Sequence, residues 1–128
     1  MNFYLSKTIT GGFDATVQKV VDALKAEGFG VLTDIDVRET LKTKLDADWR
    51  SYRILGACNP SLAHQALQAE DKVGTMLPCN VIVQDIDGGR IEIASIDPTA
   101  VMAQLGNPKL AALAAAVRDK LEAVLARL

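Results

Sequence analysis

Apolar residues along this chain recur with two different periods, and the points where the period changes mark out its elements. Phe3, Leu5 and Lys7 alternate with Tyr4, Ser6 and Thr8, and Ile9 continues the first series, which predicts a strand. Gly11-Gly12 ends it. From Phe13 to Glu27 the apolar positions Phe13, Val17, Val20, Val21 and Leu24 fall at helical spacing, and Gly28 supplies the left-handed residue that closes many helices. Gly30 to Ile35 predicts a second strand. Asp36-Val37-Arg38-Glu39 then matches a capping box with Asp at the cap, opening a short helix over Val37 to Leu45 with Val37, Leu41 and Leu45 on one stripe.

Arg50 to Ala57 predicts a third strand whose apolar residues lie on both faces, with Cys58 on the Tyr52 face if the strand extends that far. Asn59-Pro60 reads as a helix cap followed by a proline at the first helical position, where its missing N–H costs nothing. That helix runs to about Glu70, and Gly74 breaks the chain before an apolar loop ending in Leu77-Pro78. Cys79 to Asp85 alternates as a central strand should. Asp87-Gly88-Gly89 is a hairpin turn, so Arg90 to Ile96 returns antiparallel. Asp97-Pro98 and Asn107-Pro108 repeat the cap-proline device for a short helix ending at Gly106 and for a long last helix. The last helix carries Leu110, Leu113, Val117, Leu121, Val124, Leu125 and Leu128 on one face, and should lie across the sheet. The expectation is an α+β domain over residues 1–128, with a mostly antiparallel sheet of about five strands.

Composition narrows the use of such a domain. At 128 residues the chain can bury one proper core. Hydrophobic residues make up 49% but aromatic residues only 5%, which leaves little surface for stacking bases. A net charge of -2 with interspersed signs speaks against a nucleic-acid partner, which calls for a clustered basic face. The first residues lack the pattern of a signal peptide, and no apolar run approaches the ~20 residues of a membrane span. A cytoplasmic protein with reduced thiols, and no membrane partner, is the expectation. Trp49, the single Trp, is expected to anchor the edge of the core, and Lys42 and Lys44 to form a solvated helix face.

Several stretches together resemble the bacterial family known as domain of unknown function 302. They are Glu27-Gly28-Phe29-Gly30-Val31-Leu32-Thr33, Tyr52 through Pro60, and Gly74 through Leu77-Pro78-Cys79-Asn80-Val81; Asp97-Pro98 and Asn107-Pro108 agree as well. The resemblance implies a β-α-β4-α arrangement like that of TATA-binding-protein folds, and raises a homodimer as the assembly. It does not imply DNA binding, because fold alone does not carry function. No activity is carried over with it.

The chemistry left to explain sits at a Cys-Asn dipeptide that occurs twice, Cys58-Asn59 and Cys79-Asn80, and holds the only two cysteines. Cys58 precedes a helix start, whose dipole favours a thiolate. Cys79 opens a strand facing Val81 and Val83, where burial would raise its pKa. Against these stands the ordinary role of cysteine as a small buried hydrophobe, and of Asn59 as a helix cap. His64, the only His, lies away from its helix's apolar stripe, so no nucleophile-base pair is apparent, and two cysteines with one histidine fall short of a zinc set. Met76 and Met102 are soft donors suited to Cu(I), although core filling is their commoner use. Asp34 and Asp36 read as a strand-end charge and a cap rather than a carboxylate pair. Three readings follow. The first is a small-ligand or thiol-linked binding module with Cys58, Asn59, Cys79 and Asn80 lining a pocket between sheet and helix. The others are a thiol redox or metal-handling protein and a structural partner-binding domain.

Overall fold

The computed structural model describes residues 2–128. Strand β1 (Tyr4–Thr10) leads into helix α1 (Phe13–Ala26), β2 (Gly30–Asp36), α2 (Val37–Leu45), β3 (Tyr52–Cys58) and α3 (Pro60–Ala69). A 3-10 segment (Asp71–Met76) connects to β4 (Cys79–Asp87), β5 (Arg90–Ile96), the short α4 (Pro98–Met102) and the long α5 (Pro108–Ala126). The five strands form one sheet in the order β1-β5-β4-β3-β2, every neighbouring pair antiparallel, with β4 at its centre. This is the expected α+β architecture: β-α-β4-α with three added short helices, α5 packed across the sheet.

The local chemistry explains where elements begin and end. All four predicted caps form: Asp36, Asn59, Asp97 and Asn107 accept from the first-turn amides of Glu39, Leu62, Thr99 and Lys109. Asn107 also donates from Nδ2 to the Ala69 carbonyl at 3.3 Å, tying the end of α3 to the start of α5. Gly28 takes φ +86°, and the Gly28 and Phe29 amides bond back to Lys25 and Leu24, which turns the chain out of α1. At the hairpin, Gly88 and Gly89 hold φ +38° and +92°, the conformation a two-residue turn requires.

One face of the sheet is covered. Leu55, Val81, Val83, Ile91 and Ile93 point towards α1 and α5 and form one core with Val20, Leu24, Leu121 and Val124. Lys7, a charge within the apolar series of β1, donates from Nζ to the Leu125 carbonyl in the last turn of α5 at 3.2 Å, where a cation also complements the helix dipole. A second apolar cluster of Ala66, Val73, Met102, Leu110 and Ala114 lies where α3, α4 and α5 meet. Val73, 1% exposed, lies between the predicted end of α3 at about Glu70 and the break at Gly74, where the sequence pattern assigns no element; six residues of 3-10 turn are too short to display a periodic stripe.

Two expectations are corrected. Trp49 does not anchor the core: it is 43% exposed, with the Arg50 guanidinium 4.3 Å above its ring. The stripe Val37, Leu41, Leu45 forms a helix but buries nothing fully, because α2, the connection from β2 to β3, packs mainly against those two strands and meets no second layer, and Leu45 is 71% exposed. Asp34 and Asp36 separate as expected: Asp34 pairs in bidentate fashion with Arg53 across the strand, and Asp36 caps α2.

Asp97 joins two parts of the molecule, since it caps α4 through Thr99 and receives Arg118 Nε of α5 at 3.1 Å. Burial works to raise its pKa, but the hydrogen bonds from Thr99 and Arg118 outweigh it and hold the carboxyl below the usual 3.8. The folded value being the lower one, this contribution is complete above the unfolded pKa and is lost as pH falls through the folded value. A urea-denaturation series should therefore show stability falling below roughly pH 4, and Asp97→Asn should reduce both that acid-dependent loss and the stability at neutral pH.

Candidate functional site

The two cysteines arrive at adjacent strands, β3 and β4, but one residue out of step. Cys79 lies opposite Ala57, and Cys58 lies opposite Gly30 on the other neighbour, β2. Alternation gives the consequence: Cys79 shares the covered face with Ala57 and Val81, whereas Cys58 ends the series of Tyr52, Ile54 and Gly56. Both residues nevertheless border one cleft at the strand ends, closed on its other sides by α3, α4 and α5. Phe29, Leu62, Pro78, Met102, Leu110 and Val117 supply its walls, so it joins the two apolar clusters. Its volume is about 50 Å³. A cavity for an organic ligand runs to roughly 300–1,000 Å³, so the cleft holds a few atoms rather than a metabolite.

Asn59 borders the cleft, but its Oδ1 is committed to the Leu62 amide, 3.2 Å away, as the cap of α3. Both thiols are free, with no disulfide between them. Burial pushes the Cys79 thiol up, and the nearby Cys58 adds to the effect by charge repulsion. Cys79 is accordingly protonated near neutrality. Iodoacetamide at pH 8 should alkylate Cys79 in the folded chain about tenfold or more slowly than in the urea-unfolded chain, read by peptide mass spectrometry. His64 is exposed on α3, and among the described residues no three His, Cys, Asp or Glu side chains come close enough to hold a metal.

Asn80 is not part of this cleft. It is exposed on the sheet's uncovered face, in line with Ile82 and Gln84. The strand registers place Ala94 opposite Ile82, Ile82 opposite Ile54 and Ile54 opposite Ile35, an apolar row running across four strands. Ile35, at its end, is 47% exposed. Beside the row, Glu92, Gln84 and Tyr52 form a parallel polar row, in which Gln84 donates to Glu92 at 2.8 Å and Arg50 reaches Gln84 at 3.4 Å. The face encloses a concavity of about 310 Å³ bordered by Phe3, Tyr4 and Tyr52. With Trp49 stacked on Arg50, four of the six aromatic residues collect on or beside the one face that no helix covers.

Sequence reasoning missed this face because it treated each strand alone. The outward residues of β4 and β5, Asn80, Ile82, Gln84, Glu92 and Ala94, look ordinary strand by strand. Only the register aligns the isoleucines into a row, and the signal that could have found them was the apolar content of both faces of β3.

No helix among the described residues is long and apolar enough to cross a membrane. The family model described as "Domain of unknown function DUF302" matches residues 5–128. A crystal structure of an uncharacterized conserved DUF302 protein from Bacillus stearothermophilus superposes with a TM-score of 0.90 at 32% sequence identity, covering 98% of this chain and 97% of that one. No curated protein matches. A match over nearly the whole length, in sequence and in fold, makes this chain a member of the DUF302 family.

Proposed function

We propose that this protein is a partner-binding module that works through the uncovered face of its sheet, and that the partner is a second copy of the same chain. The observation that carries the reading is the gathering of Phe3, Tyr4, Trp49 and Tyr52 around the apolar row Ala94, Ile82, Ile54 and Ile35. Aromatic residues and Arg are the side chains that concentrate binding energy at protein interfaces, and a chain with so few aromatics places most of them here.

Area and charge both favour a second copy. Five strands about 4.8 Å apart and seven residues at about 3.3 Å cover a face of roughly 550 Å² in projection. Side-chain relief and the Trp49-Arg50 rim bring that near the roughly 800 Å² each partner contributes to a standard interface. The face carries Glu92 together with Arg50 and Arg90, so a two-fold axis can set acid of one copy against base of the other. The thiol cleft, by contrast, is too small for the organic ligand that a small-molecule module needs. We infer a cytoplasmic setting from the two free thiols, which a reducing compartment maintains.

Ile82→Lys tests the reading. Light scattering coupled to size exclusion should give a dimer for the parent chain and a monomer for the variant, with the far-ultraviolet circular dichroism unchanged. A variant that is folded and still dimeric would remove the uncovered face as the contact. Tyr52→Ala should weaken association by about tenfold or more while leaving the thermal midpoint of the monomer within a few degrees.

A further inference from the structure

We infer that the hollow on the uncovered face of the sheet is a site for an elongated organic cation, an ammonium group carried on an apolar chain. Its volume of about 310 Å³ lies within the roughly 300–1,000 Å³ of small-molecule sites, which the thiol cleft does not reach. The strand registers set the order of its lining. Glu92, Ala94 and Ile96 follow one another on the outer face of β5; Gln84 and Ile82 flank the first two on β4, and Tyr4 flanks Ile96 on β1. One end is therefore charged and polar, the middle apolar, and the far end apolar and aromatic, with Phe3 set edge-on to Tyr4 at 5.1 Å. Four residues of strand at about 3.3 Å each separate Glu92 from Ile96 by roughly 13 Å, a span that an octyl chain with its ammonium group fills.

Charge selects a cation. Among the described residues Glu92 is the one charged side chain bordering the hollow, and its Oε1 accepts from Gln84 Nε2 at 2.8 Å. Arg50 lies over Trp49 and donates to Gln84 Oε1 at 3.4 Å, so its guanidinium stands behind the Gln84 amide and does not border the hollow. Lys7, on β1, is turned to the covered face and donates to the Leu125 carbonyl. An anion would meet Glu92 with no cation to answer it, and a wholly apolar ligand would strip water from the carboxylate without replacing it. An ammonium group satisfies the carboxylate while its chain covers Ala94, Ile82 and Ile96. The same carboxylate is the one set against a base of the second copy, so ligand and copy compete; that competition, unlike the site, rests on the pairing proposed above.

Octylammonium is the probe, titrated into the full chain by calorimetry and by amide NMR, with octan-1-ol and ethylammonium as the controls that lack the charge or the chain. The site predicts one octylammonium per chain, held at least about tenfold more tightly than either control, with amide shifts at Ile82, Ala94 and Ile96. Glu92→Gln should lower its affinity to that of octan-1-ol and leave octan-1-ol binding unchanged. Octan-1-ol held as tightly as octylammonium, full octylammonium affinity in a folded Glu92→Gln chain, or no binding to the parent chain at millimolar concentration would each overturn the site. Sedimentation in the same buffers separates the site from the pairing. Octylammonium should convert dimer to monomer; a chain that is monomeric throughout and binds it would keep the site and remove the pairing, whereas a dimer that does not bind it would keep the pairing and remove the site.

Discussion

Leu121→Ala is expected to destabilise the chain by about 3–4 kcal/mol, a large share of what holds a domain of this size folded. Leu121 is fully buried on the side of α5 that meets the sheet, in one cluster with Val81, Val83, Ile91 and Ile93. Removing its isobutyl group forfeits burial and leaves a cavity that neither neighbour can fill, since α5 is fixed at one end by Asn107 and at the other by Lys7. Leu113 is only partly buried and should cost roughly half as much when truncated. Urea denaturation followed by circular dichroism checks both, and a Leu121→Ala midpoint close to the parent's would mean that α5 does not hold the sheet.

Gly56→Ala comes next, at about 2–3 kcal/mol. A methyl group built on Gly56 would stand 2.1 Å from Thr33 Oγ1 and 2.8 Å from Pro78 Cγ. The hydroxyl can rotate away, but the proline ring can change only its pucker, so most of that clash falls on the backbone where β4 begins beside Cys79. Glycine is needed at this point for the close approach of β2 and the Leu77-Pro78 loop rather than for an unusual φ. A double-mutant cycle separates the two contacts: Thr33→Ala should recover part of the loss in Gly56→Ala, and the Pro78 portion should remain. Full recovery would assign the whole clash to Thr33.

The parts of the fold legible in the sequence were those governed by local rules. Asp36, Asn59, Asp97 and Asn107 announce helix starts because a short side-chain acceptor meets the first-turn amides whatever the tertiary context. The Gly88-Gly89 turn fixes the β4–β5 hairpin in the same way. What could not be read was set by neighbours far along the chain. The placing of α2 at the β2–β3 connection, with no second layer over it, decided that Leu45 would be exposed, and the one-residue offset between Cys58 and Cys79 depended on how β3 and β4 register. The pair of Cys-Asn motifs looks like one site in the sequence. Pleating divides it, sending Asn80 to the uncovered face and leaving the thiols and Asn59 at the cleft.

That division gives the molecule two separate surfaces of interest, and the larger carries the main functional claim. Four aromatics and a row of isoleucines on an open sheet face are costly to leave in water, and pairing two such faces removes that cost without any change of fold. Sedimentation equilibrium of the unmodified chain over micromolar concentrations measures this directly. Pairing through the sheet face gives a mass of twice 13.7 kDa that falls towards 13.7 kDa on dilution; a mass of 13.7 kDa at every concentration would contradict it.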